Sequence, residues 1–338
     1  MNFDPLLSPT PHPRRRHLLM STAAAAVASV CLALPAQAQT TADTLHLIVG
    51  YPAGATSDAL TRVIGEHMAG TLKQTVVVEN KVGAGGRIAN ELVKAAPADG
   101  TTLLMTPVAT MGIFPHSYAG KLRYDPFKDF VPVAHLTNFQ LGLGVGSAVP
   151  AKTLAEYVAW VKGDVDKRGF YGSAAPGSIP HFFGVMFGRA AGLTLTHVPY
   201  KGTAAAMQAL AGGEIAALST VAADIRSLVQ ADRARLLAVA GDVRDPAFPN
   251  VPTFKEAGYD LVAKPWYALF APAGTPPDKL DRLSRAALAA VADPAIHKRL
   301  VEMGLEPTGY GPDRLAAILK ADYEHWGPVI KASGFKPE

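Results

Sequence analysis

Five short stretches rich in glycine and in hydroxyl side chains hold most of the groups in this sequence that suit ligand binding. They read YPAGATSD (51–58), NKVGAGGR (80–87), TPVAT (106–110), SAAPGSIPH (173–181) and PYKGT (199–203). Glycine lets a backbone approach a ligand closely, and the N–H groups at the start of a helix attract anions. Their chemistry therefore favours binding of a small anion through backbone N–H groups.

Each stretch also has an ordinary structural interpretation. Thr56, Ser57 and Asp58 are common helix-capping residues. The glycines of NKVGAGGR do not form G-x-G-x-x-G, because position 88 is isoleucine, and Lys201 suits a solvated surface. Five such stretches in equivalent places, each between a predicted strand and a predicted helix, nevertheless favour one common binding site.

Alternating strand and helix patterns must position these loops. LHLIVG precedes a helix with Leu60, Val63, Ile64 and Met68 on one face, and TVVVEN and TTLLMT follow as strands around a second helix with Ile88, Leu92 and Val93. A second set begins after about residue 140, with the strands FYGS, LTHVPY, IAALST and RLLAVAG. Right-handed crossovers place all strand-to-helix loops of a set along one sheet edge. The pattern predicts an α/β protein.

The order of the elements predicts two interleaved domains. NFQLGLGVGSAV reads as a strand that crosses between the sets, and AKPWYALFAP as a strand that returns. Three final helices, from PDKLDRL onwards, have no predicted strands of their own. We predict lobe 1 at residues 39–138 plus 264–338, lobe 2 at 139–263, and a cleft between them. Trp266 and Tyr267 are predicted to pack on a hinge strand, with contact of one of them to ligand left open.

The first residues resemble an export signal. PRRRHLLM is basic, STAAAAVASVCLALP is moderately apolar, and AQA ending at Ala38 is a small-x-small cleavage site, which predicts a signal peptide at 1–38 and a periplasmic protein. The Sec and twin-arginine routes both stay open, as does a lipid anchor on Cys31. Cleavage removes Cys31, the single cysteine, and excludes a cysteine nucleophile, a disulfide and a zinc–cysteine site.

Charge and motifs argue against several function classes. Removal of residues 1–38 takes away three arginines and one aspartate and lowers the net charge from +4 to +2, which gives no reason to expect nucleic acid. G-x-S-x-G, H-E-x-x-H and Walker motifs are absent from the sequence. We expect a monomer with no enzymatic activity, no metal and no cofactor. A hydrolase triad assembled from Ser173, His181 and Asp224 stays open.

Several long motifs, in order from about residue 44 to the C-terminus, resemble one known family. They are YPAGATSD, VVENKVGAGGRIANELVKAAPADGTTLL, HVPYKGTAAAMQALAGGEI, VPTFKEAGYD and LFAPAGTPPDKLDRL. The chain resembles the Bug family, the periplasmic solute-binding receptors of tripartite tricarboxylate transporters. The resemblance implies a type II periplasmic-binding-protein fold, in which two doubly wound lobes joined by two hinge strands close on a small carboxylate and deliver it to a membrane permease. A sensor that feeds a signalling kinase is the alternative.

The resemblance also implies which residues contact the ligand. They are Tyr51, Ala53, Gly54, Ala55, Thr56, Ser57, Asp58, Gly83, Ala84, Gly85, Gly86, Thr106, Ser173, Ala174, Gly177, Ser178, His181, Pro199, Tyr200 and Lys201.

The chain departs from the family pattern at three places. Ala53 and Gly54-Ala55 stand where the family has a second proline and paired glycines, His181 leads to Gly184-Val185 in place of Gly-Glu, and Ser219-Thr220 replace an aspartate or asparagine. These changes bear on the identity of the ligand more than on the fold.

Overall fold

A computed structural model describes residues 44–337. The predicted signal peptide at 1–38 lies outside the described residues. Eleven strands form two separate sheets, one of six strands and one of five, with helices around both. The predicted α/β class is confirmed. Within residues 44–337, no helix combines the length and the apolar composition that a bilayer span requires.

The six-stranded sheet has the order β11-β4-β10-β3-β1-β2. Its strands β1, β2 and β3 are parallel, whereas β10 runs antiparallel to β3 and β4, and β11 antiparallel to β4. The bounds are β1 Leu45–Val49, β2 Val76–Asn80, β3 Thr102–Pro107, β4 Phe130–Phe139, β10 Trp266–Pro272 and β11 Leu305–Tyr310.

The strand β11 was not predicted from the sequence. Pro307 and Gly309 interrupt its β pattern, and Pro cannot donate to a ladder. The structure accommodates them because β11 lies at the edge of the sheet as described, beside β4, with an irregular register between Pro307 and Tyr310. The C-terminal region therefore adds a strand to the first sheet as well as helices.

Helices cover both faces of this sheet. The face of the first helix that was predicted to be apolar is buried, with Leu60, Val63, Ile64 and Met68 at most 3% exposed. In the second helix Val93 is buried, but Ile88 and Leu92 are exposed. The bounds are α1 Thr56–Leu72, α2 Arg87–Lys94, α3 Phe114–Ser117, α9 Pro277–Ala292, α10 Pro294–Glu302 and α11 Pro312–Ser333, with a π-helical turn over Ala109–Ile113.

The five-stranded sheet has the order β7-β6-β8-β5-β9. Its strands β6, β7 and β8 are parallel, and β5 runs antiparallel to both β8 and β9. The strands are β5 Leu141–Gly146, β6 Phe170–Ser173, β7 Thr196–Pro199, β8 Ala217–Val221 and β9 Ala234–Val239, and the helices are α4 Leu154–Lys162, α5 Val165–Arg168, α6 Ile179–Ala191, α7 Thr203–Gly212 and α8 Arg226–Gln230.

The chain passes between the two sheets at two places. Gln140 separates β4 of the first sheet from β5 of the second, so the crossing stretch predicted as one strand is two strands in different sheets. Residues 240–265 lead from β9 back to β10. The proposed lobe boundaries stay a prediction.

Candidate functional site

The first predicted loop connects β1 to α1. The capping position is Ala55, which has no side-chain acceptor, and α1 begins at Thr56 with no side-chain cap on its first turn. The side chains of Ser57 and Asp58 are buried, while Ala53 and Gly54 are exposed. The expected side-chain capping is therefore absent, and N–H groups of the first turn of α1 stay open to an anion.

Asp58 has a structural part in this loop. Its carboxylate accepts hydrogen bonds from the Gly54 N–H at 2.9 Å and from Asn80 Nδ2 at 2.9 Å, and pairs with Arg62 at 2.9 Å. Burial would raise the pKa of Asp58, but the hydrogen bonds from Arg62, Gly54 and Asn80 outweigh it and hold the pKa below its usual value. Asn80 also donates to Tyr51 O at 3.0 Å, so this network fixes the loop.

The second loop packs directly against the first. A short 3₁₀ turn, Ala84–Gly86, precedes α2, whose capping residue Gly86 provides no side chain. Gly83, Gly85 and Gly86 all have positive φ, between 67° and 144°. The Tyr51 hydroxyl donates to Gly85 O at 3.2 Å, and a Cβ on Gly50 would lie 2.6 Å from Gly86 Cα. Glycine at these positions lets the two loops touch.

Thr106 lies at the end of β3 and is 2% exposed. Its hydroxyl pairs with the Thr110 hydroxyl at 2.6 Å, and Tyr124 in turn donates to Thr110 O at 2.6 Å. Thr106 is therefore part of an internal hydrogen-bond chain at the same sheet edge as the first two loops.

The third loop connects β6 to α6. The Ser178 hydroxyl donates to Ala175 O at 2.7 Å and does not cap α6, although Ser178 is the capping residue. Gly177 N–H donates to His181 Nδ1 at 3.0 Å. Ala174 O accepts from Gly202 N at 2.9 Å, which joins this loop to the fourth.

Two stacked histidines, the buried His181 and the half-buried His197, lie next to the third loop. The rings of His181 and His197 stack with centroids 3.9 Å apart, and the Ser173 hydroxyl pairs with His197 Nε2 at 2.7 Å. Burial lowers the pKa of both, and for His197 the neighbouring His181 lowers it further. Both rings are therefore neutral at pH 7.

The hydrolase triad is not assembled among the described residues. Ser173 pairs with His197 instead of His181, and the Nδ1 atom of His181 accepts from Gly177. Asp224 is hydrogen-bonded to Thr56. A relay of nucleophile, base and acid needs each member to contact the next, and these three do not.

The fourth loop leads from β7 to α7. Pro199 and Lys201 are exposed, and Gly202, at φ 100°, is the capping residue of α7 without a side-chain cap. The Tyr200 ring lies against Gly172 in the second sheet. It lines a separate cavity of about 570 Å³ with Trp160, Phe170 and Glu214, and no other predicted site residue lines that cavity.

Asp224 and Tyr267 were not among the predicted ligand contacts. The Thr56 hydroxyl donates to Asp224 Oδ1 at 3.2 Å, which joins the first loop to the turn after β8 of the other sheet. Tyr267 stacks on Phe139 at 4.6 Å, and its pKa is raised by burial and by the nearby charge of Asp224. An aspartate in the turn that follows a parallel strand is the signal that points to Asp224.

The arrangement gives the site the chemistry of an anion receptor. Four helices, α1, α2, α6 and α7, begin at these loops without a side-chain cap. The first loop contacts the second, the third contacts the fourth, and Thr56 contacts Asp224 across the two sheets. Uncapped N-termini attract negative charge without any cationic side chain.

Comparisons with known proteins agree with this geometry. The model of the TctC family, described as tripartite tricarboxylate transporter family receptor, matches residues 60–335. The periplasmic binding protein BugD superimposes with a TM-score of 0.78 at 29% identity, over 87% of this chain and 99% of that one.

Two further solved structures carry ligands. MatC from Rhodopseudomonas palustris with bound malate has a TM-score of 0.76 and 31% identity, over 85% of this chain and 98% of that one. An R. palustris protein with adipate has a TM-score of 0.82 and 29% identity, over 87% of this chain and 98% of that one. The periplasmic-binding-protein fold and the predicted family are both confirmed. This chain belongs to the TctC family, the solute-binding receptors of tripartite tricarboxylate transporters.

Proposed function

We propose that this protein captures a small carboxylate between its two sheets by lobe closure and delivers it to the permease of a tripartite transporter. One observation carries the proposal. Loops from both sheets end at helices whose first turns lack a side-chain cap, and these loops are linked by hydrogen bonds. The predicted contact residues and lobe boundaries belong to this proposal.

The energetics of such a site are sufficient. A hydrogen bond to a charged group contributes about 1.5–3 kcal/mol, so four of them give roughly 6–12 kcal/mol before costs. Association and the ordering of the lobes oppose this by at least about 4 kcal/mol. The remainder, about 2–8 kcal/mol, corresponds to dissociation constants from tens of millimolar to about micromolar, and further contacts in the cleft tighten the binding.

Ligands of the solved relatives support a carboxylate. MatC was solved with malate and the other R. palustris protein with adipate, and both share about 30% of their residues with this chain. Both ligands carry two carboxylates. We therefore propose a carboxylate of similar size for this chain.

Location and partner follow from the family and from the N-terminus. We propose that residues 1–38 direct export, that the mature protein begins at Gln39 in the periplasm, and that the protein is a binding component without enzymatic activity. N-terminal sequencing of the exported protein tests the cleavage. Uptake of the bound ligand, with and without the receptor gene, tests the transport role.

The direct test is a thermal-shift screen of protein recovered from the periplasm. The panel contains mono-, di-, tri- and aromatic carboxylates, with neutral sugars as controls. At a concentration of a hundred times its dissociation constant, a ligand stabilises the protein by about 2.7 kcal/mol, which raises the melting temperature. A raised melting temperature with a carboxylate and none with the sugars is expected. A response to sugars alone would reject the anion site.

A further inference from the structure

The turn after β8 places a carboxylate at the junction of the two sheets. Asp224 lies three residues after Val221, the last residue of β8, and its backbone N–H donates to Val221 O at 3.0 Å. Its Oδ1 accepts from the Thr56 hydroxyl at 3.2 Å, and Thr56 is the first residue of α1. Asp224 thus lies beside the uncapped helix start that the proposed function assigns to the ligand's anion.

Asp224 lacks the partners of a structural carboxylate. Within residues 44–337, Thr56 is its single side-chain hydrogen-bond donor, and no ion pair involves it. Asp58, in contrast, is held by Gly54, Asn80 and Arg62. Asp224 is partly buried, and a partly buried charge with so few partners is unfavourable to the folded protein. This difference indicates that Asp224 serves a ligand rather than the fold.

Among the described residues, no cation forms an ion pair with Asp224. Burial raises the pKa of Asp224 to about 6, and the Thr56 hydrogen bond lowers it only in part. The neighbouring Arg226 directs its guanidinium elsewhere, because it donates to Glu302 O at 3.0 Å. Tyr267 lies near enough for the charge of Asp224 to raise its pKa. At pH 7.5 the carboxylate of Asp224 is therefore ionised and can only accept hydrogen bonds.

An ionised acceptor beside an anion site selects among carboxylates. A second carboxylate placed next to Asp224 is repelled, whereas a hydroxyl or ammonium group on the ligand donates to it. We infer that Asp224 is a specificity-determining residue, which favours carboxylates with a hydrogen-bond donor on the carbon chain over their unsubstituted counterparts. The inference rests on the proposed function, because it needs a carboxylate in the cleft.

Matched ligands test this selectivity. Three series keep the skeleton constant and change one substituent: succinate, malate and aspartate; glutarate, 2-hydroxyglutarate and glutamate; propionate, lactate and alanine. Binding is measured by calorimetry at pH 7.5 on the full chain as exported. In at least one series, the hydroxy or amino member is expected to bind ten-fold or more tighter than the unsubstituted member.

Asp224→Asn isolates the charge, since asparagine has nearly the same shape. The variant is expected to lower the ratio of substituted to unsubstituted affinity at least ten-fold. Asp260→Asn removes the same charge from a side chain that is 93% exposed, and is expected to leave the ratio unchanged. Melting curves of both variants confirm that they are folded.

Three outcomes overturn the inference, and they are distinct. Unsubstituted members that bind the wild type as tightly as the substituted ones reject the selectivity. Equal losses of affinity for all ligands in Asp224→Asn show that Asp224 acts only through its contact with Thr56. Absence of binding by every member, together with a silent thermal-shift panel, rejects the carboxylate-receptor function itself.

Discussion

Asp224 is a residue at which the stability of the ligand-free protein and the affinity for ligand are in conflict. Its carboxylate is partly buried and receives one side-chain hydrogen bond, from Thr56 at 3.2 Å. Binding sites commonly retain such unfavourable groups because the ligand compensates them. The ligand-free protein should therefore carry a measurable cost at this residue.

Asp224→Asn is expected to stabilise the ligand-free protein at neutral pH. The pKa of Asp224 is about 6 in the folded state, above the ordinary value of about 3.9 in the unfolded chain. A raised pKa contributes stability below the unfolded value and loses it as the pH rises through the folded value. At pH 7.5 the carboxylate is ionised in the folded protein, which lowers the free energy of unfolding. Asp224→Asn should therefore raise the free energy of unfolding by about 1–3 kcal/mol.

Urea unfolding of both proteins between pH 4 and pH 8 measures this effect. The advantage of Asp224→Asn should shrink steadily as the pH falls from 7 to 4, because the aspartate is then protonated in the folded state and about half protonated in the unfolded chain. The other titrating groups affect both proteins alike and cancel in the difference. A constant difference across this range would mean that burial does not perturb the Asp224 carboxyl.

Residue contacts were the least predictable feature of the site. The sequence suggested Asp224 only as a triad member, because its partner Thr56 is 168 residues away. The family resemblance implied that Tyr200 contacts the ligand. Its ring instead lies against Gly172 and lines a separate cavity. Side-chain direction depends on tertiary packing, which short-range patterns do not encode.

Elements were predicted more reliably than contacts. The strands β1, β2 and β3, the buried face of α1 and the positions of the loops follow directly from periodicity and turn residues. The strand β11 was missed, because Pro307 and Gly309 interrupt the residue pattern that is typical of a strand. Side-chain capping by Thr56, Ser57 or Asp58 was one interpretation of the first loop, but the capping position of α1 is Ala55, which has no acceptor side chain. Uncapped starts cost stability locally and attract negative charge, as the proposed function requires.

Contact between the first two loops makes Gly50 a sensitive position. A Cβ on Gly50 would meet Gly86 Cα at 2.6 Å, so Gly50→Ala must push the second loop away from Tyr51. We expect a loss of about 1–3 kcal/mol in the free energy of unfolding, as for other overpacked sites. Ligand affinity should fall as well, because both loops belong to the proposed site.

Gly70→Ala is the matched control in urea unfolding. Gly70 lies within α1, and an added Cβ meets no atom within 4 Å. Alanine inside a helix is more favourable than glycine by about 0.5–1 kcal/mol, so this variant should be more stable than the wild type. Equal effects of the two substitutions would show that the loops separate without cost.

At the scale of the whole molecule, contacts between the two sheet systems hold the site together. Tyr118, which follows α3 beside the first sheet, donates to Pro176 O in the third loop at 3.2 Å. Phe335 follows α11 and contacts the rings of Tyr118, His181 and Phe182 with centroids 5.3–6.4 Å apart. Phe335 thereby connects the C-terminal helix, which packs on β4, to the α6 end of the other sheet.

Phe335→Ala is expected to favour a more open molecule and weaker ligand binding. An aromatic pair contributes about 0.5–1.5 kcal/mol, so loss of one such contact from the closed form should weaken binding about two- to twelve-fold. Small-angle scattering of the ligand-free protein should show a larger radius of gyration, and calorimetry with the tightest carboxylate of the panel should show the weaker affinity. Phe127→Ala is the control. Phe127 is 48% exposed, and its ring contacts Tyr323 of α11, the helix that packs on β4 of the first sheet. The same radius and affinity in both variants would show that closure does not depend on the Phe335 contact.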